Sequence, residues 1–342
     1  MSSNQLPGIS ILMPVRDAAA TLPACLDSIR EQDYPDYELV VIDDHSSDDS
    51  RAIIEQHGQS DPRIKMYQNP GRGLVDALNH GLGQCRAELV ARMDADDLMA
   101  PNRLSKQVHQ LQADASLALS ASRVRLFPAD KITDGFREYI RWQDQCISAQ
   151  QIANNIFVES PFAHPSVAFR RSTVLSMGGY RDGNFPEDYD LWLRMHRAGH
   201  RMEKLPDQLL QWRDDAGRTS RSNPRYSRDA FDRLRAEHLF RDPRIRQNMN
   251  SLAIWGAGRK TRRRCDHLLH QGIAPMAWID IDPRKIGNRI NGVPVVDCGW
   301  IAAQADRPFV LVYVTNHGAR DVIARELEQM GYRPGEDYLA VG

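Results

Sequence analysis

Arg92-Met93-Asp94-Ala95-Asp96-Asp97 follows directly on the apolar run Ala87-Glu88-Leu89-Val90-Ala91. The run reads as a short buried strand, so three carboxylates stand at a strand end. Like charges crowded together do not stabilise a fold. They suit a divalent metal, because hard cations take oxygen ligands. Alternate residues of an extended chain point the same way, so Asp94 and Asp96 face one site. A solvated acidic loop can carry the same spacing, and the rest of the chain decides between the two.

Upstream, residues 9–13, 38–42 and 64–67 read as further short apolar strands, with 89–93 as the next. Helical patterns fill the gaps at 22–29, 50–56 and 74–82, the first with Thr21 as N-cap and Pro23 in its opening turn. Strands alternating with helices imply an α/β fold with a mostly parallel sheet. In such sheets ligands sit outside the carboxyl ends of the strands. A second acidic group, Asp43-Asp44-His45-Ser46-Ser47-Asp48, follows the strand at 38–42, so both groups face one crevice.

The middle of the chain, residues 120–211, is less periodic. It holds His164-Pro165-Ser166, Gly178-Gly179-Tyr180 and Glu187-Asp188-Tyr189-Asp190-Leu191-Trp192-Leu193-Arg194. Acids ahead of an apolar helix suit its dipole whatever else they do. A core histidine bonded to backbone is the plain alternative for His164. Residues 213–224 read as a mobile polar loop, 226–240 as a charged amphipathic helix and 242–251 as a linker. Apolar strands at 252–255, 276–279, 308–314 and 338–341, with a helix at 319–330, form a second α/β unit. The expected domains are 1–245 and 251–342.

Composition narrows the class. Of 342 residues, 42% are hydrophobic and 26% charged, which is ordinary for a globular chain. The net charge of -1 supplies no global field for nucleic acid. No apolar run approaches the ~18 residues of a membrane span, and residues 1–8 lack the basic and apolar regions of a secretory signal. The five cysteines are scattered without a CxxC pair, which fits free thiols in a reducing compartment.

Five segments occur in an informative order: Ile9-Ser-Ile-Leu-Met-Pro14-Val15-Arg16-Asp17, Val41-Ile42-Asp43-Asp44-His-Ser-Ser-Asp48, Arg92-Met-Asp94-Ala-Asp96-Asp97, His164-Pro-Ser, and Glu187-Asp188-Tyr-Asp190-Leu-Trp-Leu-Arg194. Together they resemble the family 2 glycosyltransferases of the GT-A fold, over roughly the first two thirds of the chain. The resemblance implies a nucleotide-sugar donor (a UDP-sugar is expected), a divalent Mg²⁺ or Mn²⁺ and inverting transfer to a hydroxyl. It places Asp44 near the base and ribose, with Pro14, Val15 and Arg16 lining the nucleotide pocket and Arg72 close by. Asp96 becomes the direct metal ligand, Asp94 turns toward the ribose or the metal's waters, and Asp97 falls to the loop. Asp188 becomes the base, Glu187 orients the acceptor, and Asp190 is the second choice of base. His164 and Arg213 are candidates for the acceptor or phosphate side, with Arg218 and Arg221 as alternatives to Arg213. Trp192 is expected to pack.

The chemistry is coherent. A nucleoside diphosphate gains negative charge as the glycosidic bond breaks, and a carboxylate-held cation offsets it. Inversion by one in-line displacement needs a base on the opposite face. In the second unit, Ile254-Trp-Gly256-Ala-Gly258 resembles the opening of a Rossmann-like module, with Asp280 and Asp282 at the distance of a ribose-contacting acid. Thr261 stands where that motif's third glycine would be, so a binding, regulatory or oligomerising role is expected rather than catalysis. Two other classes fit less well. A nucleotidyltransferase needs a glycine-rich loop after its first strand, where this chain reads Pro14-Val-Arg-Asp-Ala-Ala-Ala. A sugar-nucleotide sensor would bind without turnover. The expected enzyme works in surface polysaccharide or glycoconjugate assembly. It is cytoplasmic, touches the membrane peripherally where its glycan acceptor is lipid-linked, and has homo-oligomerisation as an open question.

Overall fold

A computed structural model describes residues 6–215, 223–314 and 318–342. The chain divides into two compact units: residues 1–149, 161–183 and 187–222, and residues 150–160, 184–186 and 223–342.

The first unit is built on an eight-stranded sheet. Its strands are β1 (Ile9–Val15), β2 (Tyr37–Asp43), β3 (Ile64–Gln68), β4 (Leu89–Arg92), β5 (Leu98–Met99), β6 (Leu117–Phe127), β7 (Ala168–Arg170) and β8 (Arg201–Arg213), in the order β3-β2-β1-β4-β7-β6-β8-β5. Strands β3, β2, β1 and β4 run parallel, as the alternating pattern implied. β7 lies antiparallel between β4 and β6, and β8 runs parallel to β6. The two longest strands, β6 and β8, lie in the stretch whose sequence showed no clear period. Their outward and inward residues are interrupted by register shifts at Leu117/Leu119 and around Arg123, which blurs the two-residue alternation.

Helices α1 (Leu22–Arg30), α2 (Ser50–Ser60), α3 (Leu74–Gln84) and α4 (Arg103–Ala113) connect the early strands. Ile9, Ile11 and Met13 of β1 join Leu22, Leu26, Ile54 and Leu104 in one fully buried core. Leu12 and Ile42 point to the other face, against α3. A Cβ at Gly81 would stand 2.2 Å from Leu12 Cδ1 and 2.9 Å from Ile42 Cγ1, so a larger residue there would have to displace these buried side chains. Burying each such Leu or Ile side chain contributes about 1.5–3 kcal/mol. Thr21 precedes α1, but its hydroxyl does not cap the helix. It lies within donating distance of the Ala18 and Ala95 carbonyls, at 3.2 and 3.1 Å, and its one O–H bonds one or the other, the latter tying α1 to the loop after β4.

The remaining helices of this unit are α5 (Asp134–Gln143), α6 (Ala149–Asn155, which runs on into the second unit), α7 (Arg171–Ser176) and α8 (Glu187–Arg197). α8 begins at Glu187, so Glu187, Asp188 and Asp190 all lie in its first turn rather than ahead of it.

The second unit carries β9 (Leu252–Trp255), β10 (Ala277–Ile279), β11 (Arg289–Ile290), β12 (Val293–Val296), β13 (Phe309–Val312) and β14 (Tyr338–Ala340), ordered β11-β12-β10-β9-β13-β14. All pairings are parallel except β11 with β12. Its helices include α9 (Arg228–Phe240), α10 (Pro243–Gln247) and α11 (Arg259–Leu269), and α9 packs on α11. Asp280 at the end of β10 accepts from Ala257 N at 2.9 Å and from Lys285 Nζ at 2.9 Å. Thr261 packs beneath Gly256, where a Cβ would meet its Cγ2 at 2.9 Å. No helix among the described residues is long and apolar enough to cross a membrane. The five cysteines form no disulfide.

Candidate active site

β2 and β4 flank β1, so the residues that leave their carboxyl ends converge beside Val15 and Arg16. Asp44 N donates to Val15 O at 2.8 Å, and Met93 N to Leu12 O at 3.0 Å. The backbone thereby places the first and second acidic groups on either side of β1, as the strand-end reading expected.

On the β2 side, the Asp44 carboxylate is buried and engaged. It accepts from Asn69 Nδ2 at 2.6 Å and from Gly73 N at 2.9 and 3.0 Å. These bonds fix the Pro70-Gly71-Arg72-Gly73 turn, and Gly73 takes a φ of +91° that suits glycine. Arg72 N in turn donates to Asp76 Oδ2 at 3.1 Å. Arg16 is exposed, with Nη1 3.7 Å from Asp44 Oδ2. Pro14 is half-buried and Val15 buried beside it.

On the β4 side, Asp94, Asp96 and Asp97 offer ligand oxygens that all lie within 4.8 Å of one another. Asp97 is fully buried, and its Oδ1 accepts from Arg213 N at 2.7 Å. It lies in the loop after β4, as expected, and still belongs to the cluster. β4 ends at Arg92, and the turn that follows brings neighbouring as well as alternate carboxylates together. Arg213 Nε donates to Asp96 O at 2.7 Å, and the guanidinium lies 4.4 Å over the Phe127 ring. Arg213 thus reaches the carboxylate cluster from the end of β8. Arg218 and Arg221 lie outside the described residues.

The third component comes from α8 and the loop before β7. His164 Nε2 lies 3.0 Å from the Tyr180 hydroxyl, and its Nδ1 4.0 Å from Glu187 Oε1. Burial, with Arg92 adding to it, holds the imidazole well below its usual range, so it is neutral. The His164 ring is therefore hydrogen-bonded to the Tyr180 side chain, with Glu187 beside its other nitrogen. Glu187 is buried; Asp188 keeps part of its surface open. Removal from water, and then the Glu187 charge beside it, push the Asp188 carboxyl up to about 7. A carboxyl in that range accepts a proton efficiently near neutral pH.

Asp190 has another task. It has no exposed surface, and both Arg181 and Arg194 bind it, Arg194 Nε at 2.7 Å. Arg194 also donates to Met177 O and Gly179 O at 2.9 and 2.7 Å, so this pair anchors the glycine turn before α8. A carboxylate held by two guanidiniums is a poor base, and Asp190 is set aside in that role. Trp192 packs as expected, fully buried with its ring edge-on to Phe162 and His164. Two residues without a sequence-derived role stand at the centre. Tyr180 is fixed by Asn79, which bonds both its backbone N and O, at 2.9 and 2.8 Å. Arg92 is buried and ion-paired to Asp94. Its position just ahead of the acidic run was the one signal in the sequence.

A mixed sheet of this kind is matched by known proteins. The family model "Glycosyl transferase family 2" matches residues 10–176. The O-antigen biosynthesis glycosyltransferase WbnJ of Escherichia coli is 31% identical over 241 residues, spanning 69% of this chain and 91% of its own. Among solved structures, TarS of S. aureus with UDP-GlcNAc aligns with a TM-score of 0.55 at 16% identity, over 78% of this chain and 81% of that one. The mannosyltransferase PcManGT of Pyrobaculum calidifontis, with GDP-Man and Mn²⁺, aligns at 0.51 and 20% identity, over 79% and 70%. These likenesses establish the GT-A type of fold. With the sequence identity to WbnJ over nearly that protein's whole length, they place the chain among the family 2 glycosyltransferases, as a glycosyl-transferring enzyme.

Proposed function

We propose that this glycosyltransferase is metal-dependent and inverting, and that it moves a sugar from a UDP-sugar to a hydroxyl of a glycan or lipid-linked glycan. The observation that carries the reading is the placement of Asp188. It is a carboxyl raised toward neutrality, at the start of α8, in the field of the same Arg92 that pairs with Asp94.

Asp94, Asp96 and Asp97 form an all-oxygen donor set that fits Mg²⁺ or Mn²⁺. Asp96 is the favoured ligand, with Asp94 supporting it, as the Asp-x-Asp pattern implies. Such a cation would supply Lewis-acid neutralisation of the departing diphosphate. Pro14, Val15, Arg16 and the Asp44-held turn with Arg72 form the nucleotide side, where Asp44 acts by shaping the turn. Arg213 stands at the phosphate side. In the transfer, the acceptor oxygen attacks the anomeric carbon, its proton passes to Asp188, and the bond to the nucleoside diphosphate breaks. Glu187, held beside neutral His164, orients the acceptor. The enzyme works in polysaccharide or glycoconjugate assembly from the cytoplasmic side, touching the membrane peripherally where its acceptor is lipid-anchored. The second unit, into which α9 and α10 also fall, is a Rossmann-like accessory module.

The test is a panel of nucleotide-sugars with glycan acceptors, with and without Mn²⁺ or EDTA. The expected product is a nucleoside diphosphate, formed only with the metal. Pyrophosphate release would show a nucleotidyltransferase instead, and tight donor binding without turnover would show a sensor.

A further inference from the structure

Three stretches leave the carboxyl ends of β1, β2 and β3: residues 16–19, 44–50 and 69–73. The first two are laced together. Asp17 Oδ1 accepts from Ser47 N at 2.7 Å, and Asp17 N donates to Ser46 Oγ at 3.1 Å. Ala18 N donates to Ser50 Oγ and Ala19 N to Asp48 Oδ2, each at 2.8 Å. Between this lacing and the Pro70–Gly73 turn stands His45, in left-handed backbone at φ +59°. Glycine takes that conformation freely, and histidine takes it at a cost. Such strain persists where the surroundings over-determine it. They do so here, because Asp44 N is held by Val15 O at 2.8 Å and Ser46 N by Asp43 Oδ1 at 3.2 Å.

What histidine brings and glycine lacks is the ring, which reaches across to the third stretch. Nε2 lies 2.9 Å from Gly71 O, and a carbonyl only accepts, so this nitrogen carries the proton and donates. Nδ1 is then the acceptor in the neutral ring, 3.4 Å from Gln68 Nε2. The turn is thereby gripped at three points: Gly73 N by Asp44, Arg72 N by Asp76 and Gly71 O by His45. His45 is exposed, and exposed hydrogen bonds add little to stability because water replaces them. Arg72 is the one cation in the turn, and it too is exposed.

We propose that His45 is a positioning residue for the donor: its ring locks the Pro70–Gly73 turn so that Arg72 is already in place when the nucleoside diphosphate arrives. The inference rests on the proposed function, which puts Arg72 on the nucleotide side. Ordering the turn beforehand removes that cost from donor binding.

The test uses His45→Gly and His45→Asn in the full chain. Both residues accept this φ, and neither carries the ring. Affinity for UDP, with GDP as the second probe, is measured by titration calorimetry, alongside donor KM, kcat and the midpoint of chemical denaturation. Both variants are expected to keep or raise the midpoint. They bind the nucleotide about threefold to tenfold more weakly, the worth of one hydrogen bond. Donor KM rises while kcat changes less. In an Arg72→Ala background the same substitutions cost less than about twofold, because the side chain they position is gone. A lower midpoint with full nucleotide affinity makes His45 structural and overturns the proposal. A loss that adds in full to that of Arg72→Ala overturns it as well. If Arg72→Ala binds the nucleotide as tightly as the parent, the proposal falls with the nucleotide-side reading of Arg72. If Arg72→Ala weakens binding and neither His45 variant does, that reading stands and the role of His45 falls alone.

Discussion

Asp97 Oδ1 accepts from the backbone nitrogen of Arg213 at 2.7 Å, 116 residues along the chain. One bond therefore ties the end of β8 to the carboxylate cluster after β4. The side chain of Arg213 doubles the link through Asp96 O. Asp97→Ala leaves the part-buried Arg213 N–H without that acceptor, which costs about 1 kcal/mol. The melting temperature is expected to fall by roughly 2–4 °C per kcal/mol, and differential scanning calorimetry reads it. An unchanged melting temperature would show that the bond carries no structural load.

Asp188, the proposed base, and the ion-paired Asp190 lie on one helical turn. Asp188→Asn removes the base and is expected to lower kcat by about 10²–10⁴-fold without lowering the melting temperature. Asp190→Asn breaks a buried ion pair with Arg194 and Arg181, at a cost of about 3–5 kcal/mol. Chemical denaturation and steady-state kinetics on the two variants distinguish the roles. Reversed phenotypes would exchange the assignments.

The raised Asp188 carboxyl fixes a pH dependence. A base works when deprotonated, so kcat rises as pH passes about 7 and levels above it. The same shift acts on stability with the opposite sense. Between its ordinary 3.8 and about 7 the folded chain holds a proton that the unfolded chain has released, so stability falls as pH rises through that window. Asp188→Asn should flatten that part of the stability profile. A profile of the same slope in the variant would assign it to other groups.

Asp96→Ala is expected to abolish Mn²⁺-dependent turnover, and EDTA to do the same to the parent enzyme. Thermal shift with donor and Mn²⁺ together should exceed the sum of the two alone, since each fills part of one site. Strictly additive shifts would mean that the cation and the donor bind apart.

Asp44→Asn tests the nucleotide side. Its acceptor oxygens hold Gly73 N and Asn69 Nδ2, so the substitution loosens the turn that carries Arg72. The expected result is a KM for donor raised about tenfold, with kcat changed less. A change in kcat alone would move Asp44 out of the nucleotide pocket.

The sequence alone determined the parallel half of the fold. Apolar runs, the second and fourth ending in acidic clusters, place β1 to β4 and their order with α1 to α3, because short buried strands and amphipathic helices have distinct periods. The ordered motifs carried the family and the candidate residues from Pro14 to Arg213. β6 and β8 were not legible, because register shifts break their alternation. Nor was the division of labour among the acids. Asp97 and Arg213, or Asp190 and Arg181, are pairs that only folding brings together. Asp188 and Asp190 carry the same carboxyl two residues apart; one keeps open surface and a carboxylate neighbour, the other is enclosed by two guanidiniums. Residue type and spacing supply the groups, whereas burial and neighbouring charge, both products of the tertiary structure, decide which carboxylate is raised toward neutrality and which is held by guanidiniums.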